Sequence, residues 1–399
     1  MSLNETPSAN RIHIGFFGKI NSGKSSLINA VCGQQLAVVS DVPGTTTDPV
    51  TKAMELLPVG PVVLIDTAGI DDTSELGKLR VEKTGRMLER TDMAVLVVDG
   101  SREVTEEEKE FIRKFKQRKI PFLVAVNKED LISPQKKKQW QDCFGADACI
   151  FVSAKENMHI EELKVSIGQL CKTNVQERPL VSDLVKKGDT VLLVMPIDAS
   201  APKGRLILPQ QQVIRELLES GALIMSVQPE QLSQALATCT PGLVITDSQV
   251  FGRVSAQVPE DIPLTSFSIL FARYKGTLWD AVAGARVLDC IADGDAILIA
   301  EGCTHHRQCG DIGRDKLPAW IRKHTGKEPV FHFGSGAEFQ EDLTGYRLVV
   351  HCGGCVLNEK EMQHRLALAK EQGVPMTNYG IAIAHMNGIL ERSIEIYES

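Results

Sequence analysis

Residues 18–25 read GKINSGKS, in which a glycine is followed after four residues by Gly-Lys-Ser, a spacing that suits phosphate groups. Glycines at both ends let backbone N–H groups turn inward around phosphate oxygens, and a helix beginning at Lys24 would direct its positive end at them. Lys24 would reach the outer phosphates, and Ser25 would offer its hydroxyl to Mg²⁺. The residues predicted to contact phosphate are Asn21, Ser22, Gly23, Lys24, Ser25 and Ser26.

Two further motifs would complete the phosphate and metal chemistry. The polar loop at 44–48 reads GTTTD, and Thr46 can supply a second hydroxyl ligand to Mg²⁺. The string DTAG at 66–69 follows a predicted strand. Its carboxylate would stand in the outer shell of the metal, and the N–H of its glycine would meet the γ-phosphate. The residues predicted to serve catalysis are therefore Lys24, Ser25, Thr46, Asp66 and Gly69.

The strings NKED at 127–130 and SAK at 153–155 can recognise a base. A carboxylate at Asp130 can accept two hydrogen bonds, from N1–H and the exocyclic amine of guanine. Adenine lacks that donor pair, and a site built for it rejects an analogue by about 10⁴–10⁵. Five motifs in this order indicate a guanine-nucleotide site with Mg²⁺. The residues predicted to hold or close over the base are Asn127, Lys128, Asp130, Ser153, Ala154 and Lys155.

A second group of residues, near the carboxyl terminus, can bind a metal. Residues 303–305 read CTH and residues 351–355 read HCGGC, each after a predicted strand. Two glycines allow a tight loop that presents both of its sulfurs to one centre, and a helix after residue 358 favours thiolates. The spacing suits a closed Cys₃His zinc site or an iron–sulfur cube held by three thiolates, and it does not separate the two.

The elements that must position these groups alternate between strands and helices. In the first part of the chain, we predict strands at 11–17, 62–65, 94–99, 122–127 and 149–152, with helices at 24–32, 77–89, 105–118 and 160–171. Near-continuous apolar strands separated by helices are typical of a mostly parallel sheet covered on both faces.

The rest of the chain divides after a polar stretch that ends in Pro179. We predict strands at 190–195, 222–225, 243–246, 296–300 and 348–351, with helices at 210–219, 277–289, 314–324 and 359–372. The expected domains are residues 1–175, 176–265 and 266–399, all of α/β class.

Composition excludes several classes of protein. The chain has 399 residues with 43% hydrophobic and 24% charged, which is typical of a globular protein and rules out disorder. A net charge of −7 argues against nucleic acid as a partner. No apolar run reaches the roughly 18 residues of a membrane helix, and residues 1–10 lack the basic-then-apolar layout of a signal peptide, so we expect a cytoplasmic protein. Six cysteines outside the metal motifs are predicted to fill core positions: Cys32, Cys143, Cys149, Cys171, Cys239 and Cys290.

The nucleotide motifs resemble those of the translation-factor-related GTPases, and GTTTD with DTAGI is similar to the TrmE–Era branch. Combined with CTH and HCGGC, they resemble the HydF family of FeFe-hydrogenase maturation GTPases over the whole chain. The resemblance implies a P-loop GTPase domain, a small dimerisation domain and a domain that binds a 4Fe-4S cluster through Cys303, Cys352 and Cys355. In the TrmE–Era branch an asparagine at the position of Asn21 can help to hold K⁺, so K⁺-stimulated hydrolysis is implied.

The family's role is that of a scaffold. It implies a homodimer or higher oligomer that receives a diiron subcluster from two radical-SAM maturases and delivers it to apo FeFe-hydrogenase. Ile70 stands where a glutamine would orient the attacking water, so slow intrinsic GTP hydrolysis is expected. The fourth cluster ligand stays open among His305, His351, His306, Cys309, Asp311 and an exogenous donor. The alternative is a zinc-stabilised regulatory GTPase acting in RNA modification or ribosome assembly.

Overall fold

The computed structural model describes residues 11–33, 50–57, 59–67, 85, 87–174, 178–197, 206–302, 312–335, 339–354 and 357–398. The chain separates into two compact units, Met1–Gln176 and Glu177–Ser399. Within the described ranges, no helix has both the length and the apolar character that a membrane crossing needs.

The first unit contains a six-stranded sheet with helices between its strands. The strands are β1 (Ile12–Phe17), β2 (Val50–Leu56), β3 (Gly60–Asp66), β4 (Met93–Asp99), β5 (Phe122–Asn127) and β6 (Cys149–Phe151). The helices are α1 (Lys24–Cys32), α2 (Glu106–Gln117), α3 (Pro134–Phe144) and α4 (Ile160–Asn174). Of the helix predicted at 77–89, residues 85 and 87–89 are helical, and 77–84 and 86 lie outside the described residues.

The sheet has the order β2-β3-β1-β4-β5-β6, and only β2 runs antiparallel to its neighbour. Every residue of β4 is buried, as expected for a strand covered on both faces. Leu27 of α1 and Leu163 of α4 pack on one face of the sheet, whereas Phe115 of α2 and Trp140 of α3 pack on the other. The prediction of a mostly parallel α/β sheet is therefore confirmed.

The second unit contains two four-stranded sheets. The strands are β7 (Thr190–Val194), β8 (Leu223–Val227), β9 (Leu243–Thr246), β10 (Leu264–Ser266), β11 (Ala296–Glu301), β12 (Val330–Ser335), β13 (Leu348–His351) and β14 (Met376–Asn378). The helices are α5 (Leu208–Ser220), α6 (Leu232–Thr238), α7 (Phe251–Ser255), α8 (Phe267–Tyr274), α9 (Leu278–Arg286), α10 (Leu317–Thr325), α11 (Glu359–Glu371), α12 (Tyr379–Met386) and α13 (Leu390–Ile394).

Both sheets of this unit are parallel, with the orders β10-β9-β7-β8 and β12-β11-β13-β14. One hydrophobic core joins residues from both sides of the boundary expected after residue 265. Leu192 of β7 and Val244 of β9 share it with Ile381 of α12 and Leu390 of α13. The three-domain division therefore stays a prediction.

A half-buried carboxylate fastens the start of the second unit. Glu216 on α5 accepts hydrogen bonds from three consecutive backbone N–H groups, those of Leu180, Val181 and Ser182, at 2.8–3.1 Å. Hydrogen bonds of an N–H to an ionised acceptor are about twice as strong as neutral ones. The chain that arrives from the first unit is thereby attached directly to α5.

The six cysteines predicted to lie in the core divide into three groups. Cys149 and Cys171 are buried and Cys32 and Cys239 are half-buried, but Cys143 and Cys290 are exposed, so the prediction was wrong for those two. Cys143 lies in the last turn of α3, where only Trp140 is buried, and Cys290 ends a short 3₁₀ turn after α9. An apolar periodicity over a few residues therefore misassigned both.

We expect alkylation to separate these thiols, because the thiolate is the reactive form. Burial raises the pKa of Cys149 to about 11 and that of Cys171 to about 12. Iodoacetamide at neutral pH should modify Cys143 and Cys290 and leave Cys149 and Cys171 intact, as read by peptide mass spectrometry. Equal labelling of all four in the folded protein would contradict the burial pattern.

Candidate functional site

The phosphate loop lies between the end of β1 and the start of α1, and it requires two of its glycines. Gly18 has φ +148° and Gly23 has φ +91°, conformations that residues with a Cβ rarely adopt. An added Cβ would lie 2.2 Å from the carbonyl oxygen of Val97 at Gly18, and 2.2 Å from Nδ2 of Asn127 at Gly23. The loop therefore packs closely against the ends of β4 and β5.

Lys24 is buried and folds back over the loop. Its Nζ donates to the carbonyl oxygens of Gly18 and Lys19, at 2.9 and 2.7 Å. These bonds hold the ammonium inside the curve of the loop, at the N-terminus of α1, where an anion is favoured. Asn21 is exposed with φ +62°, a left-handed conformation in which asparagine is enriched.

The two predicted Mg²⁺ groups that lie in described residues meet directly. Ser25 Oγ donates to Asp66 Oδ2 at 2.7 Å, from the first turn of α1 to the end of β3. Burial raises the pKa of the Asp66 carboxyl, while the Ser25 hydrogen bond and the charge of Lys24 oppose that rise. A hydroxyl beside a partly desolvated carboxylate is an arrangement that Mg²⁺ with its waters can use. Thr46 and Gly69 lie outside the described residues.

Asn127 joins the phosphate loop to the predicted base site. Its Nδ2 donates to the carbonyl oxygen of Ser22 at 3.0 Å, and its Oδ1 accepts from the N–H of Ala154 at 3.0 Å. Asp130 Oδ1 accepts from Ser153 Oγ at 2.6 Å, which orients the carboxylate. The strings NKED and SAK, distant in sequence, are thus brought together at the ends of β5 and β6.

A cavity of about 750 Å³ opens beside these residues, within the size range of ligand sites. Gly23 and Ser26 line it on the loop side, and Asn127, Asp130 and Ala154 line it on the base side. Lys128 also lines the cavity. Its Nζ donates to Asp99 Oδ2 at 2.6 Å, and this hydrogen bond holds the side chain against the cavity wall. Lys155 lines the cavity with an exposed side chain.

In the second unit, Cys352 follows β13 and lies beside the end of β11. Its Sγ accepts from the N–H of Gly302 at 3.2 Å and from the N–H of Gly354 at 3.4 Å. Two N–H donors on one sulfur favour its thiolate form. Cys303 and Cys355 lie outside the described residues, as do His305, His306, Cys309 and Asp311. Gly302 and Gly354 are the residues that directly precede those two cysteines.

A buried lysine adds positive charge to the loop that carries Cys352. Lys275, just after α8, donates through Nζ to the carbonyl oxygens of Gly354 and Leu357, the latter at 3.1 Å. A cation near a cysteine lowers the cost of forming its thiolate. Lys275 was not predicted, because nothing within its own stretch of sequence signals a contact with residues 79 and 82 positions away.

His351 is fully buried, and both of its ring nitrogens have partners. Nδ1 lies 2.7 Å from the carbonyl oxygen of Cys352, and Nε2 lies 2.9 Å from Arg365 Nη1. Burial, together with the charge of Arg365, lowers the pKa of His351 to about 3, so the ring is neutral. Both ring nitrogens are thus engaged in this structure, and ligation by His351, which would require one of these contacts to break, stays a prediction.

Arg365 completes a buried cluster on α11. Its Nη2 donates to Glu361 Oε1 at 2.9 Å, with the arginine 2% and the glutamate 6% exposed at their side chains. Arg365 was not predicted, although the i, i+4 spacing of Glu361 and Arg365 on a helix just after HCGGC was a signal that could have found it.

We expect Glu361→Gln to destabilise the second unit by about 3–5 kcal/mol, because breaking a buried ion pair leaves an uncompensated charge. The measurement is urea unfolding followed by circular dichroism. Glu219→Gln is the matched control, since its ion pair with Arg215 has the same i, i+4 spacing but is exposed, and it should cost less than about 1 kcal/mol. Equal losses in the two variants would contradict a special role for the buried pair.

Three family models match successive parts of the chain. A model described as "50S ribosome-binding GTPase" matches residues 13–128. The "Hydrogen maturase F dimerization domain" matches residues 180–276, and the "Hydrogen maturase F tetramerization domain" matches residues 279–396. Two domains of one family thus cover most of the second unit.

Curated relatives match the chain in part. A tRNA modification GTPase MnmE from Acetivibrio thermocellus is 27% identical over 54% of this chain and 48% of its own length. The MnmE of Heliobacterium modesticaldum is 38% identical over 37% of this chain and 31% of its own. GTPase Der of Clostridium kluyveri is 32% identical over 40% of this chain and 39% of its own length. The chain therefore spans about half, or less, of the length of these relatives.

Solved structures of GTPases are also similar in part. A crystal structure of Era from Aquifex aeolicus is 19% identical and has a TM-score of 0.37, covering 54% of this chain and 92% of its own. The G domain of the T. maritima FeoB protein is 22% identical with a TM-score of 0.31, over 40% of this chain and 99% of its own.

The family models give the identity that the motifs and the geometry had suggested. A GTPase domain is followed by both hydrogen maturase F domains, in the order that the sequence resemblance implied. The chain belongs to the hydrogen maturase F (HydF) family, with a GTPase domain of the TrmE–Era type.

Proposed function

We propose that this chain is a GTP-hydrolysing scaffold that binds a 4Fe-4S cluster and delivers a diiron subcluster precursor to apo FeFe-hydrogenase. The observation that carries the proposal is the environment of Cys352. Its sulfur accepts N–H groups from Gly302 and Gly354, and those glycines directly precede the two other cysteines of the motif.

The residues present fit such a cluster. Cys303, Cys352 and Cys355 would hold three of its irons, and the two backbone donors on Cys352 Sγ would stabilise the thiolate. When bound, the cluster supplies an iron whose fourth ligand is exchangeable. Lys275 offsets the negative charge of three thiolates, and the buried His351–Arg365 pair supports the loop. The candidates for the fourth ligand are His305, His306, His351, Cys309, Asp311 and an exogenous donor.

The nucleotide side of the proposal uses the residues around the phosphate loop. Ser25 and Thr46 would hold Mg²⁺ with Asp66 in the outer shell, Lys24 would neutralise phosphate charge, and Gly69 would contact the γ-phosphate. Asn21 would help to hold K⁺, whose charge would stimulate hydrolysis. Because no glutamine follows Gly69, turnover is slow, and the protein acts in the cytoplasm as a switch whose nucleotide state sets its affinity for the two radical-SAM maturases and the hydrogenase.

A zinc-stabilised GTPase acting in RNA modification or ribosome assembly is the second candidate. The match to a ribosome-binding GTPase model and the names of the MnmE relatives favour it. Less of the chain supports this candidate, because the GTPase model matches residues 13–128 only and the MnmE of Heliobacterium modesticaldum covers 37% of the chain. A net charge of −7 also disfavours a nucleic-acid partner.

Anaerobic reconstitution with iron and sulfide, followed by absorbance and by EPR after reduction, separates the two candidates. If the chain is the proposed scaffold, it should take up about four irons per chain and show the EPR signal of a reduced 4Fe-4S cluster. This signal should change when imidazole binds the iron whose fourth ligand is exchangeable. If the protein takes up no iron under these conditions and holds zinc in its cysteine motif, the scaffold proposal is contradicted and the zinc-stabilised GTPase is supported.

A further inference from the structure

Three side chains that take no part in either site converge at the surface of the second unit: Asp289, His324 and His385. His324 Nε2 lies 2.8 Å from Asp289 Oδ1, and His385 Nε2 lies 3.0 and 3.1 Å from the two oxygens of the same carboxylate. One donor atom from each residue lies within 4.8 Å of the other two. We propose that these three residues form a binding site for a divalent transition-metal ion, separate from the cysteine motif.

The distances suit such an ion. Nitrogen and oxygen donors stand about 2.0–2.2 Å from zinc and similar metals. Two donors at that distance are about 3 Å apart when the angle at the metal is near 90°. The nitrogen-to-oxygen separations of 2.8–3.1 Å therefore need little change to accept an ion, which would replace the ring protons that now bridge these atoms.

The donors are already held in place by the fold. Asp289 lies in the 3₁₀ turn Val287–Cys290 that follows α9, His324 in the last turn of α10 and His385 in the last turn of α12. Leu288, Ile321 and Ala382, which lie one or three positions from these residues, are fully buried in one hydrophobic cluster. The site therefore needs little ordering when the ion binds.

The surrounding backbone favours a cation. The carboxyl end of a helix carries partial negative charge, which attracts cations within its last turn. Both histidines occupy the last turn of a helix of eight or nine residues. These two helix ends thus place their negative poles beside the carboxylate.

The donor set selects the class of metal. Two imidazoles and one carboxylate suit zinc, iron or cobalt, whereas Mg²⁺ and Ca²⁺ prefer oxygen donors throughout. Three protein ligands, with a carboxylate 54% exposed at its side chain, leave at least one coordination position open to water or to another ligand. His324 also lines a cavity of about 530 Å³, together with Lys323 and Arg253. An anionic ligand bound beside these two cations could reach the ion from this cavity.

Cobalt titration into the cluster-free, full-length chain tests the proposal, since Co²⁺ reports its own ligands. Cobalt bound by the cysteine motif gives an intense near-ultraviolet charge-transfer band from sulfur, whereas cobalt on Asp289, His324 and His385 gives only weak visible bands. We expect one equivalent of this second kind. It should persist in Cys352→Ser and bind at least about 100-fold more weakly in His324→Ala and His385→Ala.

His332→Ala is the control, because His332 is exposed on β12, meets the ring of Tyr346 edge-to-face and is not one of the three donors. In the Cys352→Ser background, where the cysteine motif has lost a ligand, zinc should raise the melting temperature of the parent chain and of His332→Ala, but not that of His324→Ala or Asp289→Asn. Without added metal, the variants should have the same melting temperature as their parent, and this result would show that they fold. A sulfur-free cobalt equivalent that survives both histidine substitutions, or no such equivalent in the wild type, would overturn the proposal.

Discussion

Asp130→Asn is expected to weaken GTP binding by about 100- to 10,000-fold. Each hydrogen bond to a charged group contributes about 1.5–3 kcal/mol. The variant loses the charge behind both contacts and turns one acceptor into an amide N–H that faces a guanine donor, which together cost about 3–5.5 kcal/mol. Asp130 lines the cavity beside the phosphate loop, and Ser153 already orients it through a 2.6 Å hydrogen bond. The measurement is the dissociation constant of GTP by calorimetry or with a fluorescent analogue.

Xanthosine triphosphate makes this test specific to the base. Xanthine carries a carbonyl where guanine carries its amino group, so the new amide N–H has a partner in xanthine and none in guanine. The variant should therefore prefer xanthosine triphosphate. Asp147→Asn applies the same chemical change to an exposed aspartate of the same unit and should leave GTP binding unchanged. If Asp130→Asn bound GTP as tightly as this control, Asp130 would not be the base-reading residue.

Cys352→Ser is expected to abolish retention of the iron–sulfur cluster while leaving GTP hydrolysis intact. The hydroxyl of serine stays protonated at neutral pH, so the two N–H groups that now meet the sulfur would no longer stabilise an anionic ligand. Iron and sulfide per chain after reconstitution should fall to background, and the EPR signal of the reduced cluster should disappear. The GTPase rate, measured as phosphate release, should match that of the wild type.

An exposed cysteine supplies the control for this experiment. Cys143→Ser removes one thiol from α3 and should retain the full iron content. Thermal unfolding of Cys352→Ser must first show that the second unit is still folded, because the loop of residues 352–354 lies against buried groups. Undiminished iron in folded Cys352→Ser would remove this residue from the proposed ligands.

The sequence predicted best the features that are local in the chain. Several site residues lie in or beside a short motif at the end of a buried strand: the phosphate loop, Asp66, Asn127 and Asp130. Parallel strands bring such ends to one edge of the sheet. The parallel topology therefore brings Ser25 and Asp66 into contact, although they are 41 positions apart in the sequence.

The elements that were missed have weak or ambiguous patterns. Helix α3 buries only Trp140, so its apolar period is faint. The edge strand β2 reads VTKAMEL, in which no strict alternation of polar and apolar residues marks a strand. Helix α12 reads YGIAIAHM and is apolar on nearly every side, and a run of this kind cannot be told from a buried strand by periodicity.

The groups that support the cysteine motif were missed for a different reason. Lys275 contacts Gly354 and Leu357, and Arg365 contacts His351, each from a separate element. Asp289 meets its two histidines across 35 and 96 positions. No spacing within a single stretch encodes such contacts, because they depend on how whole helices pack.

The attachment of the chain to Glu216 has a practical consequence for dissecting this protein. A recombinant fragment that starts at residue 183 would lack the N–H groups of Leu180, Val181 and Ser182, and the carboxylate of Glu216 on α5 would lose these donors. A fragment that starts at Arg178 would keep them, together with the ion pair between Arg178 and Glu359. Residue 178 is therefore the place to begin a stand-alone version of the second unit.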